Sequence, residues 1–271
     1  MMKDHIKDIL FDISPQIFGT LFAIKSRRVA QNVERREGLD RLSKELTERY
    51  GQKVMEGPFA KLKLPDKMVK RHIAPFLFGS YESTLHGPIY SLMGNKYDVI
   101  IDIGSSFGYY ASGFAKIFNQ SKVFAFDTDP WARKQVREMA SINLLNNLRV
   151  EAACTKKTLK KLLTDNGKSL VFSDCEGYEV KLFDEESIQS LKESDVIIEL
   201  HPAGSEELLY LLESKFEKTH KTDVCNCETI DQKKKFMPED VNDLRIINEW
   251  RSEGQQWLVC RPRLTADLNE I

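Results

Sequence analysis

The chain has 271 residues, a length that suits one α/β domain with an appended segment. Its 40 Lys and Arg residues balance 41 Asp and Glu residues, so the formal net charge is -1 and a nucleic-acid partner, which needs a basic face, is disfavoured. Five cysteines, an odd number in a chain too large to need disulfides, indicate a reducing compartment and an expected cytoplasmic location.

The first fifty residues are predicted to form a helical cap, because apolar residues recur there at helical spacing. The apolar stretch 9–24 is broken by Asp12, Pro15 and Gly19, so we expect no transmembrane segment and no signal peptide. A packed helix is the favoured interpretation of this stretch, and contact with a membrane surface or a partner is the alternative. The cap would serve as a lid, a dimer contact of a homo-oligomer or a wall for the substrate.

A short hairpin is predicted to follow the cap. Residues 53–65 form two alternating runs around Gly57 and Pro58, and the segment from there to Gly94 reads as mainly helical. The predicted organisation is therefore a helical cap with a hairpin over residues 1–75 and a main domain over residues 76–265.

From Tyr97 onward, apolar strand-like runs alternate with helical stretches. This alternation predicts βαβ crossovers and a parallel sheet that is buried on both faces. The last two runs, in "KFEKTHKTDVCN" and "QQWLVCRPR", are predicted to pair antiparallel at the sheet edge. The expected fold is doubly wound α/β, with a mostly parallel seven-stranded Rossmann-like sheet, an antiparallel last strand and the N-terminal helical cap. The first five strands are predicted at 98–103, 122–127, 148–153, 169–174 and 194–200.

The run "DQKKKF" lies between the last two predicted strands. Three consecutive lysines are typical of a solvated face, and attraction of an anionic acceptor is the alternative interpretation.

Acidic residues stand at the ends of four predicted strands: Asp102, Asp127, Asp174 and Glu199. In open parallel sheets, ligands bind beyond the carboxyl ends of the strands, so these acids are expected to line one site.

The loop after the first strand reads D-x-G-x-x-x-G, from Asp102 through Gly104 to Gly108. It lacks the G-x-G-x-x-G spacing that holds a pyrophosphate, and no P-loop lysine follows. A carboxylate at the mouth of the loop repels phosphates and suits an ammonium group. Asp127 ends the next strand, where an acid can accept hydrogen bonds from a ribose diol. An unphosphorylated ribose with a cationic tail describes S-adenosylmethionine.

Four segments together resemble the FkbM-like group of class I S-adenosylmethionine-dependent methyltransferases. They are "VIIDIGSSFGYY", "VFAFDTDP", "FSDCEGYEV" and "IIELHP", and the third matches the group's Asp-x-Glu-Gly-x-Glu pattern through Asp174, Glu176, Gly177 and Glu179. The resemblance covers residues 52–202. Ala60, Ser80 and Asp127-Thr128 depart from the Gly, Thr and Glu-Pro that are common in the group.

The resemblance implies a set of cofactor contacts. Asp102, Gly104, Ser105 and Gly108 would shape the methionine end, with Asp127 on the ribose. Thr128 would lie near the adenine, flanked by the small residues Ala152 and Ala153, while Tyr81 and Glu82 would close the pocket from outside.

A hydroxyl acceptor must lose its proton during methyl transfer, so a base is expected within hydrogen-bond reach. The candidates are Asp174, Glu176, Glu199 and His201; a neutral imidazole is a natural base near neutral pH. No metal is expected, although Asp174, Glu199 and His201 could supply hard ligands to Mg²⁺ or Ca²⁺.

The resemblance implies O-methylation of a hydroxyl on a sugar, a glycan or a related natural product. The alternatives are an N-methyltransferase of the same fold and a binding protein that keeps the pocket without turnover. A nicotinamide dehydrogenase ranks last, because the loop lacks the required glycine spacing. The expected partner is a small-molecule or glycan acceptor.

Overall fold

The structure, a computed structural model, describes residues 38–69, 73–175, 177–200, 205–249 and 255–263. Two of the predicted catalytic residues, Glu176 and His201, lie outside these ranges, as does the predicted cap before Gly38. Within the described ranges, no helix is both long enough and apolar enough to cross a bilayer.

Short elements precede the sheet, as the sequence indicates. Helix α1 carries apolar side chains on one side and ends where Gly51 adopts a positive φ of 79°. A 3-10 turn, Ser83–Leu85, leads directly into the fourth helix. The helices described before the sheet, from Gly38 onward, are α1 (Leu39–Tyr50), α2 (Asp66–Val69), α3 (Ala74–Phe78) and α4 (His86–Leu92).

The predicted hairpin is present between α1 and α2. Lys53 and Lys63 form an antiparallel bridge, and the Val54 N–H donates to the Leu62 carbonyl at 2.9 Å. At its tip, Phe59 is buried against Phe114, with ring centroids 5.4 Å apart. The hairpin is therefore anchored by an aromatic side chain to the first helix of the main domain.

The strands and helices of the main domain alternate as predicted. Their ends carry the expected caps: Asp129 accepts from the Trp131 N–H at the start of α6, and Thr155 caps α7. In chain order they are β1 (Val99–Ile103), α5 (Tyr109–Ile117), β2 (Lys122–Phe126), α6 (Pro130–Ile142), β3 (Leu148–Glu151), α7 (Lys156–Thr164), β4 (Ser169–Ser173), α8 (Glu179–Leu182), α9 (Glu185–Ser190), β5 (Asp195–Leu200), α10 (Ser205–Phe216), β6 (His220–Asn226), α11 (Ile230–Lys233) and β7 (Gln256–Pro262).

The seven strands form one sheet in the order β3-β2-β1-β4-β5-β7-β6. Strands β1 to β5 pair in parallel, and β7 is antiparallel to both β5 and β6. This arrangement confirms the predicted fold class, including the antiparallel final pair.

Both faces of the sheet are covered. All five side chains of β1 are buried, as expected of a strand with apolar packing on both sides. One face, here called the hairpin face, packs against the hairpin and α5 through residues such as Phe172 and Trp257. The other face packs against α7, α9 and α10. Because both faces of the sheet are covered, the carboxyl edge is where a ligand is expected to bind.

Candidate functional site

Five of the predicted site residues form a single row across the carboxyl edge of the sheet. Ile103 of β1 is level with Phe126 of β2 and Ser173 of β4. The pairing extends by one residue, since the Asp174 N–H donates to the Ile103 carbonyl at 2.8 Å. The next residues along the five strands are Ala152, Asp127, Gly104, Asp174 and Glu199, in spatial order. Neighbouring strands lie about 4.8 Å apart, so the row spans about 19 Å.

Gly104 sits where two strands come closest. Its φ is +89°, and a Cβ at this position would lie 1.7 Å from the Asp174 carbonyl oxygen. Its N–H donates to the Phe126 carbonyl at 2.8 Å. Only glycine can make this turn and leave the carbonyl where it is.

Asp102 lies two residues below the row on β1, and it is 1 % exposed. Within the part of the chain that the structure describes, its Oδ2 atom has no hydrogen-bond partner. Burial raises the pKa of this carboxyl to about 7; hydrogen bonding by Ser105 and the Ala111 backbone opposes the increase, and the charges of Asp174 and Asp127 add to it. A buried acceptor oxygen without a partner costs free energy, and a cationic donor from a ligand would remove that cost. The position therefore fits the ammonium group of an amino-acid moiety.

Asp127 is held in place by backbone donors. Its Oδ2 accepts from the Ser106 N–H and its Oδ1 from the Asp129 N–H, both at 2.8 Å. Ser106 donates from a left-handed conformation, with φ at 47°. The carboxylate is half-buried at the end of β2.

Two further residues of the loop after β1 make structural contacts within the protein. The Ser105 hydroxyl is buried and lies 3.1 Å from the Asp102 carbonyl and 3.2 Å from the Phe126 carbonyl, so it fixes the loop from below. Gly108 begins α5 with φ at +85°, and a Cβ there would lie 3.0 Å from the Cα of Val136. It therefore allows α5 to pack closely against α6.

On the far side of Asp127 the site is lined by small or partly exposed residues. Thr128 follows Asp127 directly, and Ala152 and Ala153 follow β3; all three are half-buried. Ala152 is level with Asp127 in the row, so the neighbour of the carboxylate on this side has a small side chain.

Glu82 lies deeper than predicted. Instead of closing a pocket from outside, its side chain is 2 % exposed and accepts a hydrogen bond from the Tyr110 hydroxyl. The reason is that Glu82 adopts a left-handed conformation, with φ at 46°, just before the 3-10 turn. Tyr81 is half-buried and stacks on Phe76, with ring centroids 4.0 Å apart.

Tyr110 is a site residue that the sequence analysis missed. It lies in the first turn of α5, and its ring stacks on Phe172 of β4 at 4.1 Å. Burial raises the pKa of its hydroxyl well above the usual value, with Tyr81, Glu249 and Glu199 among the groups that contribute. An aromatic residue two positions after the loop glycine was the only signal for it.

Lys233 and Glu249 form a buried ion pair that also contacts this region. Their side chains are 6 % and 5 % exposed, and the Glu82 N–H donates to Glu249 Oε1 at 3.2 Å. Burial raises the pKa of Glu249 to about 7, opposed by Lys233. The prediction of a solvated face for the lysine run is therefore wrong for Lys233, because the segment between β6 and β7 folds inward and supplies a carboxylate.

The candidate bases occupy different environments. Asp174 is half-buried at the end of β4, next to Gly104 in the row. Glu199 is buried in β5 and accepts a hydrogen bond from the Gln255 side chain. Asp174 is therefore the more accessible of these two carboxylates, and Glu199 is enclosed by the protein.

The last glutamate of the Asp-x-Glu-Gly-x-Glu pattern has a structural task. Glu179 is fully buried and its Oε1 accepts from the Cys175 N–H at 2.8 Å, which closes the turn after β4. Gly177 occupies that turn with φ at +97°. Among the described residues, no group of three His, Cys, Asp or Glu side chains is arranged to hold a metal ion.

Comparisons with known proteins give structural similarity only. No family model matches the sequence, and no curated protein matches it. Similar solved structures include a precorrin-6y C5,15-methyltransferase from Geobacter metallireducens, with a TM-score of 0.41 and 12 % identity over 68 % of this chain and 85 % of that one. An rRNA methylase from Streptococcus thermophilus has a TM-score of 0.45 and 10 % identity over 67 % of this chain and 97 % of that one.

A third similar structure is TYW2 from M. jannaschii in complex with AdoMet, with a TM-score of 0.37 and 15 % identity over 64 % of this chain and 72 % of that one. At these low scores the similarities carry no argument about chemistry. The fold assignment rests on the strand order and register, and the chemistry has to be argued from the site.

Proposed function

We propose that the chain is an S-adenosylmethionine-dependent methyltransferase that acts on a hydroxyl group of a sugar, a glycan or a related natural product. The observation that carries the proposal is the unpartnered, buried Oδ2 of Asp102 beneath the Gly104 turn. The O-methylation and the class of acceptor come from the FkbM-like resemblance of the four sequence segments.

The cofactor would be held by residues of the row. Asp102 accepts from the ammonium group of its methionine part, and Asp127, fixed by the Ser106 and Asp129 N–H groups, accepts from the ribose diol. Ala152 and Ala153 leave room for the adenine beside Thr128. When bound, the cofactor supplies a methyl group on a positively charged sulfur, a carbon already activated for displacement.

The protein's remaining tasks are to align the acceptor, exclude water and take up a proton. Asp174 is a half-buried carboxylate of the row, next to Gly104, and in this proposal it accepts the hydroxyl proton, together with or in place of His201. Glu199 and Glu176 orient the acceptor or the base. Tyr110 and Glu82 form the inner wall, with the Tyr110 ring held against Phe172.

The proposal is tested by calorimetric titration of the full chain with S-adenosylmethionine, S-adenosylhomocysteine and NAD. We expect the first two to bind and NAD to fail. In Asp102→Asn, affinity for both should fall by at least about ten-fold, because a charge-assisted hydrogen bond is lost while the side-chain volume is kept. The matched control is Asp98→Asn: Asp98 is exposed just before the opposite end of the same strand.

Binding by wild-type protein and by Asp98→Asn, with weakened binding by Asp102→Asn, justifies a screen of hydroxyl acceptors with a labelled methyl donor. Binding of NAD alone, no binding at all, or equal effects of the two substitutions would refute the proposed cofactor site.

A further inference from the structure

Four lysines lie together on the hairpin and on α5, far from the row of acids. Lys53, Lys61 and Lys63 belong to the hairpin, and Lys116 is in the last turn of α5, with its Nζ 3.5 Å from the Ala60 carbonyl. All four side chains are exposed. These four residues are called the lysine patch below.

The charges of the lysine patch are not neutralised by the protein. Within the described ranges, none of the four ammonium groups has a carboxylate within 4.0 Å, whereas Lys156, Lys160, Lys233 and Lys235 each have one. Partial burial lowers the pKa of Lys116, and the charges of Lys61, Lys53 and Lys63 lower it further. The four positive charges are therefore close enough to repel one another.

Two local features of the lysine patch, a pair of like charges and a positive φ, are unfavourable for folding. Lys53 and Lys63 face each other in the antiparallel bridge, where like charges destabilise a pair by several tenths of a kcal/mol. Lys61 has a φ of 67°, a left-handed conformation that costs a residue with a side chain about 1 kcal/mol. Local rules of this kind are broken most often where a surface has a function.

The surroundings of the patch identify the kind of partner. Phe59 is buried beneath the hairpin, so it does not present a ring on which a nucleic-acid base could stack. Apolar surface is present instead: Met55 is 43 % exposed on the same hairpin.

A cleft of about 290 Å³ lies beside Lys53 and Lys63. Its walls contain the apolar residues Leu64, Pro65 and Ile142, and the acidic residues Asp66 and Glu138 line it too. Glu138 is engaged by Lys67 at 3.5 Å.

The position of the patch leaves the candidate site free. Helix α5 begins beside the Gly104 turn and carries Lys116 in its last turn, so the patch lies about 12 Å further along the helix, toward the opposite edge of the sheet. The patch also follows closely on α1, and the apolar stretch 9–24 precedes α1 in the sequence.

We propose that the lysine patch docks the protein on an anionic lipid surface. Lysines next to an exposed apolar side chain, here Met55, combine attraction to anionic headgroups with shallow apolar contact, which is the pattern of peripheral membrane binding. Each lysine near such a surface contributes about a five-fold increase in partition, and the effect is screened by salt. The inference does not depend on the proposed methyl transfer.

The test is co-sedimentation of the full chain with vesicles of phosphatidylcholine alone or of phosphatidylcholine with phosphatidylserine. We expect binding to the second kind only. Lys53→Gln/Lys63→Gln should weaken it about 25-fold. The matched control Lys156→Gln/Lys160→Gln removes the same charge from α7 and should leave it unchanged, because those lysines are already paired with Asp184 and Glu186.

Lys61→Gly gives a second, independent readout. It should weaken partition about five-fold while raising the melting temperature, since glycine adopts a positive φ without strain. The proposal is overturned if the wild type ignores anionic vesicles, if the patch variant binds as well as the wild type, or if both double variants lose binding equally. Binding to a labelled single-stranded RNA in place of vesicles would overturn it as well.

Discussion

At the scale of single residues, the candidate site depends on positions where only one side chain is compatible with the backbone. Gly104 brings the β1 loop against the Asp174 carbonyl, and this close approach places Asp102 directly beneath the turn. Asp102 itself is destabilising in the ligand-free protein, because its buried Oδ2 has no partner among the described residues. The same feature that costs folding free energy is the one on which the proposed binding of a cationic ligand rests.

Gly104→Ala should lower the free energy of unfolding by more than about 3 kcal/mol, because the new Cβ meets a backbone carbonyl and φ stays positive. Urea denaturation measures the change. The matched control is Gly87→Ala in α4, where a Cβ has nothing within 4 Å and the helix gains about 0.5–1 kcal/mol. Equal stability of the two variants would show that the turn is not as tight as described.

At the scale of elements, the end of β6 and the segment between β6 and β7 bind the 3-10 turn that precedes α4. The Thr84 hydroxyl donates to the Asn226 carbonyl at 2.7 Å, and the Ser83 hydroxyl donates to Glu228. Further along the segment, Glu249 accepts from the Glu82 N–H and pairs with Lys233. The segment thus fixes the 3-10 turn before α4, and through Glu82 it fixes the Tyr110 hydroxyl.

Lys233→Met should destabilise the protein by about 3–5 kcal/mol, because Glu249 is left buried without its counter-charge. Lys234→Met is the control: Lys234 is half-exposed and pairs with the exposed Asp231, so its loss should cost less than about 1 kcal/mol. Both values come from urea denaturation.

A second-site change checks the cause. Lys233→Met/Glu249→Gln should recover most of the lost stability, since no charge remains buried. If the double variant is no more stable than Lys233→Met, the loss comes from packing rather than from the unpaired carboxylate.

At the scale of the whole molecule, buried carboxyl groups couple stability to pH. The folded protein holds the pKa of Asp102 and of Glu249 at about 7, above the ordinary values of 3.8 and 4.5. At a pH between the ordinary and the raised pKa, these two carboxyl groups are ionised in the unfolded chain but protonated in the folded protein. Their contribution to the stability of the folded state therefore decreases as the pH rises to about 7. Asp184 acts in a lower window, because Lys156 holds its pKa at about 2.

Between about pH 4.5 and pH 7, Asp102 and Glu249 lower the free energy of unfolding of the ligand-free protein as the pH rises, whereas His86 and His220, whose pKa burial lowers, raise it. Urea denaturation across this range should show that the free energy of unfolding falls less, or rises more, in Asp102→Asn than in the wild type, because one of the two carboxyl groups no longer titrates. Asp98→Asn should follow the wild type. An unchanged slope in Asp102→Asn would contradict the raised pKa of Asp102.

The fold class, and the gathering of acidic residues at one edge of the sheet, could be predicted from the sequence. Alternating strand and helix patterns are local, and a parallel sheet brings every strand end to one edge, so Asp102, Asp127, Asp174 and Glu199 could be placed together without coordinates. The first five strands lie where they were predicted, within two residues at each end.

The tertiary structure alone decided which polar side chains are buried and with whom. Glu82 and Glu249 are 167 positions apart, and no spacing rule links them or pairs Lys233 with Glu249. A run of lysines is predicted to be exposed because charged side chains are almost always solvated. Burial of a lysine becomes tolerable only when a distant segment supplies a carboxylate to pair with it. The same holds for the lysine patch, since the repulsion between Lys116 and the hairpin lysines exists only once Phe59 has docked the hairpin on α5.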